Sequence, residues 1–156
     1  GYYRGLASPC DCKNGPLDSI DELMLIRGIT EELYYGREGL PGVGNYLTVL
    51  DTERININTA PLLVIRALAP DITERMVSAM DEYRQDENND IASASWYRNV
   101  PGMADIAIDT RLIGVRSNAF TIESTARLDR MMRRVTAVVE REQPGYMPVI
   151  ATWTVH

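Results

Sequence analysis

The sequence predicts an α+β fold because its two halves carry different hydrophobic periods. Residues 17–108 hold helix caps and apolar positions at helical spacing, whereas residues 109–156 alternate apolar and polar residues with period two. The chain has 156 residues, 45% of them apolar, which is enough to bury a core without a metal or a disulfide. We predict an irregular lead-in over residues 1–16, a helical subdomain over 17–108 and an antiparallel sheet over 109–156.

The helical region opens with a capping box, in which Ser19 is followed three residues later by Glu22. Gly28 then predicts a helix end and Thr30 caps a second short helix, so a helical hairpin is expected. Residues 36–45 contain four glycines and a proline and predict a loop. The β-branched and aromatic residues 46–50 predict a strand after it.

Residues 54–61 alternate isoleucine with two asparagines, whose side chains can hold neighbouring backbone groups in a tight turn. Thr59 is expected to cap a helix that runs to Pro70. Residues 71–74 cap a further helix that runs to about Arg84. Its inward face is predicted to hold Met76, Val77, Met80 and Tyr83.

Three strands are predicted in the last part of the chain, as an antiparallel meander. The alternating positions are Phe120, Ile122, Ser124, Ala126 and Leu128, then Val135, Ala137 and Val139, and finally Val149, Ala151, Trp153 and Val155. Trp96 and Tyr97 in a loop and Trp153 near the C-terminus are candidate interface anchors; for Trp153, packing within the sheet is the favoured alternative.

Catalytic signatures are missing from the sequence: it has no nucleophile elbow, no P-loop and no H-E-x-x-H motif. The one histidine, His156, argues against histidine-based acid–base catalysis and a histidine-rich metal site. Asp81 and Glu82 are adjacent on a helix and point to different sides, so we expect them to be solvated. We predict that the protein is not an enzyme; a hydrolase built on carboxylates would need a strongly perturbed acid.

Cys10 and Cys12 stand one residue apart near the start of the sequence. This spacing is too short for a zinc knuckle, and no second cysteine pair completes four ligands. A strained disulfide, pairing with another chain and two free thiols are all open.

A DNA-binding alternative comes from residues 56–60 and the apolar helix after them, which resemble helix-hairpin-helix proteins of the competence-receptor type. That module needs a glycine-containing hairpin that approaches phosphate, whereas residues 68–73 contain no glycine and include Asp71. Residues 71–90 hold seven acids against two arginines, and the whole chain carries a net charge of −6, so nucleic acid is disfavoured. The arginines at 127, 130, 133 and 134 lie on predicted strands, where a solvated face or edge protection is expected.

An ordered series of motifs spans nearly the whole chain. It consists of Lys13-Asn14-Gly15-Pro16-Leu17, Ser19-Ile20-Asp21-Glu22-Leu23, Ile26-Arg27-Gly28-Ile29-Thr30, Tyr46-Leu47-Thr48-Val49, Ile55-Asn56-Ile57-Asn58-Thr59-Ala60-Pro61 through Leu68, Ser117-Asn118-Ala119-Phe120-Thr121-Ile122 and Val138-Val139-Glu140-Arg141. This series resembles the K-type minor pseudopilins of type II secretion.

The resemblance implies a pilin-like sheet that bears a helical, sterile-alpha-motif-like insert used as a protein–protein surface. It implies a structural role at the pseudopilus tip, where the protein binds I-type and J-type minor pseudopilins and supports the export of folded proteins. It also implies that this sequence is the soluble periplasmic portion of a longer protein, which an N-terminal helix with a prepilin-peptidase site anchors in the bacterial inner membrane.

Calcium is a further implication of the resemblance. Asp86, Asn88 and Asp90 are the candidate ligands, since alternating oxygen donors at positions one, three and five begin a calcium loop. The rest of an EF-hand is not present, because Ile91 stands in place of glycine and Tyr97 in place of the bidentate glutamate. The alternative is a solvated acidic loop without a metal.

Overall fold

The computed structural model describes residues 1–5, 7, 9, 11–50, 54–141 and 147–155. Its α-helices are α1 (Glu31–Tyr35), α2 (Leu62–Arg66) and α3 (Glu74–Gln85). Its strands are β1 (Gly36–Arg37), β2 (Leu40–Pro41), β3 (Ile55–Asn56), β4 (Ile113–Gly114), β5 (Ala119–Leu128), β6 (Met131–Glu140) and β7 (Val149–Val155). Short 3₁₀ helices span Tyr3–Gly5, Ile20–Leu25, Val43–Tyr46 and Trp96–Asn99.

The chain divides into two compact units, Gly1–Val49 and Leu50–His156. The predicted lead-in, helical and sheet subdomains, with boundaries after residues 16 and 108, stay a prediction. No helix in the described part of the chain is long and apolar enough to cross a membrane.

The first unit confirms both helix caps. The Ser19 hydroxyl accepts a hydrogen bond from the Asp21 N–H, and the Glu22 carboxylate accepts from the Ser19 N–H, but the helix that follows is a 3₁₀ helix. Thr30 accepts from the Leu33 N–H and begins α1. Capping is local, so the residue pattern was enough to predict it, whereas the hydrogen-bond spacing of so short a helix was not encoded there.

Glycines set the turn after α1. Gly36 has φ +90, and a Cβ there would lie 2.5 Å from the Gly42 nitrogen and 2.5 Å from the Leu40 carbonyl oxygen. This close approach allows the short antiparallel pair of β1 with β2 inside the predicted loop. The strand expected over residues 46–50 is wrong, because Tyr46 closes a 3₁₀ helix and residues 47–50 lie outside the strands of the structure.

The second unit opens with two-residue strand β3, which pairs in parallel with β4. The Asn56 side-chain oxygen accepts from the Asn58 N–H at 3.1 Å, which confirms the asparagine-held turn. The predicted Thr59 cap is wrong, since α2 begins after Pro61 and ends at Arg66, before Pro70. Instead of capping a helix, Thr59 donates a hydrogen bond from its backbone N–H to the Asn56 carbonyl and stays inside the turn.

Helix α3 matches its prediction closely. The Thr73 hydroxyl accepts from the Met76 N–H at 3.3 Å at the start of the helix. Val77 and Met80 are buried, and Met76 and Tyr83 pack against the same core. This core also includes Ile57, Ile65, Trp96, Tyr97, Val100, Met103, Ile108 and Ile113. Trp96 and Tyr97 are therefore core residues, and their interpretation as interface anchors is wrong.

The C-terminal part forms the predicted antiparallel meander, with strand order β5-β6-β7. Phe120 pairs with Val139, Ile122 with Ala137, and Ala137 in turn with Trp153 on β7. Trp153 is 68% exposed, so the expectation that it packs within the sheet is wrong. The reason is that no other layer of the described chain covers this part of the sheet.

Candidate assembly surfaces

The three-stranded sheet presents two chemically different faces. One face carries Phe120, Ile122, Val135, Ala137, Trp153 and Val155, which we call the apolar sheet face. The opposite face carries mainly hydroxyl and charged residues, among them Thr121, Glu123, Thr136 and Thr154. The apolar sheet face therefore has the composition of a buried surface.

Burial shows that the apolar sheet face is open in the described chain. Ile122 is 51% exposed, and Phe120, Trp153 and Val155 are exposed as well. Towards the end of β6 the same face is less open, since Val139, the pair of Phe120, is buried and Val135 and Ala137 are half-buried. A large contiguous apolar surface of this kind marks a site where another layer or another protein docks.

The α2–α3 hairpin has the connection of a helical hairpin but lacks the backbone of a phosphate site. Residues 67–73 join the helices without a glycine, and Asp71 is exposed in the turn. A carboxylate at this position repels a phosphate group. The hairpin of the described structure thus offers no feature that favours DNA.

The adjacent acids that the sequence offered as carboxylate candidates have different roles. Asp81 forms an ion pair with Arg84 at 2.6 Å, while Glu82 is exposed. The same arginine donates to the backbone carbonyls of Ile57 (3.2 Å) and Ala60 (2.8 Å). Arg84 and Asp81 therefore tie α3 to the β3–α2 turn, which is a structural role.

The candidate calcium ligands lie in two small hydrogen-bonded turns. The Asp86 Oδ1 accepts from the backbone N–H of Asn88 at 2.9 Å and from its side-chain amide at 2.8 Å. These bonds favour the carboxylate and hold the pKa of Asp86 below its usual value. The Asp90 Oδ1 accepts from the Ala92 N–H at 2.9 Å.

This geometry allows a simple test of fit to a cation. Asp86 and Asn88 are brought together, but the Asn88 amide faces Asp86 with its N–H group, which cannot ligate a metal. Within the described ranges, no group of three or more His, Cys, Asp and Glu residues is arranged to hold a metal ion. The residues as placed do not form a ligand shell, and calcium stays a prediction from the resemblance.

A disulfide, pairing with another chain and free thiols all stay predictions for Cys10 and Cys12. Cys12 is exposed. Cys10 lies outside the described residues.

Sequence reasoning missed the long-range polar contacts that position these surfaces. The Trp96 indole N–H donates to the Asn58 side-chain oxygen at 2.7 Å, and the Asn58 amide donates to the Ile91 carbonyl at 3.1 Å. The Asn56 amide donates to the Ser117 hydroxyl at 3.0 Å, directly before β5. Two asparagines in an otherwise apolar segment were the available signal, but their partners lie 33 to 61 residues away.

The fold as a whole is similar to a known structure. The chain matches a chain of the crystal structure of the GspK-GspI-GspJ complex from the type 2 secretion system of enterotoxigenic Escherichia coli, with a TM-score of 0.68 over 99% of its length. This likeness establishes the fold. The sequence identity is 19%, and the chain spans about half of the matched chain, 53% of its length. The sequence matches no family model and no curated protein.

Proposed function

We propose that this protein is a K-type minor pseudopilin of a type II secretion system and acts by assembly. The observation that carries the proposal is the fold match over 99% of the chain to a chain of a GspK-GspI-GspJ complex. The ordered motif series, from residues 13–17 to residues 138–141, supports the K-type among the three.

In this function the protein caps the pseudopilus tip on the periplasmic face of the inner membrane, bound to I-type and J-type minor pseudopilins, and supports protein export. The matched structure is itself a complex of three such proteins, which supports these partners. A helix outside this sequence would anchor the protein in the membrane, as the resemblance implies.

In the assembled pseudopilus, we propose, the apolar sheet face packs against another structural layer. A single sheet layer with one apolar face is stable when a helix or a second sheet covers it. The covering layer here is an α-helix with an apolar stripe, because pilin-like sheets pack on helices in the architecture that the resemblance implies. Trp153 at 68% exposure then becomes buried on assembly.

Co-purification tests the assembly. This chain is mixed with soluble I-type and J-type minor pseudopilins from the same genome, and size-exclusion chromatography with light scattering measures the mass. We expect a stable complex with one copy of each protein. If the three proteins do not associate while the chain binds duplex DNA tightly in a parallel titration, the helix-hairpin-helix alternative replaces the proposal.

A matched pair of variants tests the apolar sheet face. Ile122→Asp places a charge on this face, and Thr121→Asp places the same charge on the opposite face of β5. We expect Ile122→Asp to abolish the complex and Thr121→Asp to retain it, with a blue shift of Trp153 emission on assembly that Trp153→Phe removes. If both variants assemble equally and the emission does not change, the covering of this face is refuted while the assembly itself stands.

A further inference from the structure

The β5–β6 hairpin closes at the pair of Leu128 with Met131, four pairs beyond the pair of Ser124 with Val135. We call residues 125–134 the hairpin arm.

The hairpin arm is basic although the chain as a whole is acidic. Arg127, Arg130, Arg133 and Arg134 stand against Asp129 alone, so the arm has a formal charge of +3 while the whole chain has −6. All four arginines are exposed. Within the described part of the chain, none of them forms an ion pair or a side-chain hydrogen bond. Their charge is therefore available to an anionic partner.

The end of the arm is also apolar. Leu128 is 67% exposed, Met131 67% and Met132 54%. The turn between the strands holds only Asp129, at φ +52, and Arg130. Leu128 and Met131 form the outermost strand pair, and Met132 belongs to the next pair inward. Edge protection explains exposed arginines, but it does not explain three large apolar side chains at the tip of the arm.

The arrangement of these residues around the arm selects the kind of surface. Leu128 and Met131 lie on one face of the ribbon and Met132 on the other. The arginines also lie on both faces, with Arg133 on the first and Arg127 and Arg134 on the second. A partner protein that covers one face of the ribbon would leave half of this set in water. A fluid surface that surrounds the tip contacts the apolar side chains and the arginines on both faces at once.

We propose that the hairpin arm docks on the anionic surface of a phospholipid membrane. The apolar side chains at its tip enter the boundary between headgroups and acyl chains, and the arginines donate to lipid phosphates. Guanidinium groups suit this role because they bind phosphate oxygens in a bidentate way. The inference does not depend on the proposed function, since it uses only the arm and its charge.

Vesicle co-sedimentation tests the proposal with the full chain. Vesicles of phosphatidylcholine alone are compared with vesicles that also contain phosphatidylglycerol, at low and at physiological salt. We expect binding to the anionic vesicles that weakens as salt rises, and no binding to the neutral ones. Equal binding to both, or binding to neither, would overturn the proposal.

Variants assign the binding to the arm. Arg130→Gln with Arg133→Gln should weaken the partition coefficient by about 25-fold, at roughly fivefold for each arginine near an anionic surface. Leu128→Ser with Met131→Ser should weaken it by about tenfold through lost apolar burial. The control is Arg66→Gln with Arg75→Gln, which removes the same charge from exposed positions on α2 and α3. It should change the partition coefficient by less than about twofold.

Two results would contradict the arm as the membrane site. Equal losses in the arm and control variants would mean that only net charge matters. Tighter arm-dependent binding to duplex DNA or to an acidic protein than to anionic vesicles would assign the arm to that macromolecule instead. Circular dichroism melts of each variant show whether it is folded, and the two arm variants change different side chains, so one misfolded variant leaves the other to decide.

Discussion

The helical core of the second unit and the sheet that follows it contain similar aliphatic residues in opposite surroundings. Ile65 on α2 is completely buried, with 0% exposure, whereas Ile122 on β5 is 51% exposed. The two tryptophans divide in the same way, since Trp96 is 2% exposed and Trp153 68%. The core closes on itself through contacts between α2, α3 and the loops, while the apolar sheet face is exposed at Phe120, Ile122, Trp153 and Val155.

This difference shows that hydrophobic periodicity determines which face of a helix or strand is apolar, but not which other element packs on that face. The pattern of β5 to β7 predicted strands, pairing and one apolar face, and β5 and β6 show all three. In β7 a register shift at Val138/Val139 pairs Val149 with Glu140, so Val149 lies on the face opposite Trp153 and the predicted alternation is wrong there. Whether a face is buried depends on a second layer, which can come from another segment or another chain. The apolar sheet face is thus the part of this molecule whose burial its own strand pattern does not determine, and the proposed function assigns that burial to assembly.

The same substitution at matched positions gives the largest expected contrast. Ile65→Ala should lower the free energy of unfolding by about 3 kcal/mol, because it removes buried methyl groups and leaves a cavity. Ile122→Ala should change it by less than about 0.5 kcal/mol, because the side chain is already hydrated. Urea denaturation followed by circular dichroism measures both, and equal losses would mean that the sheet face is covered in the isolated chain.

Asn58 tests how the core is closed by polar groups. Asn58→Ala leaves the Trp96 indole N–H and the Ile91 carbonyl without their partner, so we expect a loss of about 2 kcal/mol in the free energy of unfolding. The control is Asn88→Ala in the exposed loop, with an expected change within about 0.5 kcal/mol. Urea denaturation without calcium measures the free energy of unfolding of both variants. If Asn58→Ala leaves it unchanged, water replaces both hydrogen bonds.

How much could be predicted from sequence follows the range of the interaction involved. Ser19, Thr30 and Thr73 cap helices through bonds that span two or three residues, and all three were predicted. The β3–β4 pair joins residues 58 positions apart through two-residue strands, which carry no periodic signal. Residues 46–50 show the reverse failure, because a strand-forming composition stands where the structure has the end of a 3₁₀ helix and an irregular segment.

The candidate surfaces follow the same rule. The alternation that starts at Phe120 indicated the apolar sheet face, but the exposure of Trp153 depends on a layer that is missing and could not be predicted. The arginines of the hairpin arm were interpreted as a solvated face or edge protection, since sequence alone did not show that Leu128, Met131 and Met132 are exposed beside them. Asp86 and Asn88 illustrate ambiguity of another kind, because one spacing fits both a calcium loop and a hydrogen-bonded turn.

Tyr34 extends the comparison to the first unit, where it is the one buried large side chain among the described residues. Its hydroxyl donates to the Asp21 carboxylate at 2.5 Å, which raises the pKa of Tyr34 to about 12. An unfolded tyrosine titrates near pH 10. The stability from this bond is therefore complete below about pH 10 and is lost as the pH rises towards about 12.

The measurement is the pH dependence of unfolding of the wild type and Tyr34→Phe between about pH 9 and 12. We expect the wild type to be the more stable at the lower pH and the two curves to converge at the upper end. Tyr35→Phe is the control, because it removes a hydroxyl from the neighbouring, exposed tyrosine. The ring of Tyr35 packs edge-on against that of Tyr34, with 4.8 Å between the ring centroids. Parallel curves for wild type and Tyr34→Phe would show that this bond does not couple stability to pH.

The smallest expected effect concerns the loop after α3, where a metal and hydrogen bonds are competing ways to order the backbone. Calcium binding to the folded chain alone would raise the melting temperature with calcium concentration. Asp86→Ala with Asp90→Ala should abolish any such rise, while Asp71→Ala, which removes an exposed acid from the α2–α3 turn, should leave it unchanged. A rise that survives the double substitution would move the calcium site elsewhere. If the wild type shows no rise, the hydrogen bonds of Asp86 to Asn88 and of Asp90 to Ala92 are sufficient to order the loop, and the calcium prediction is wrong.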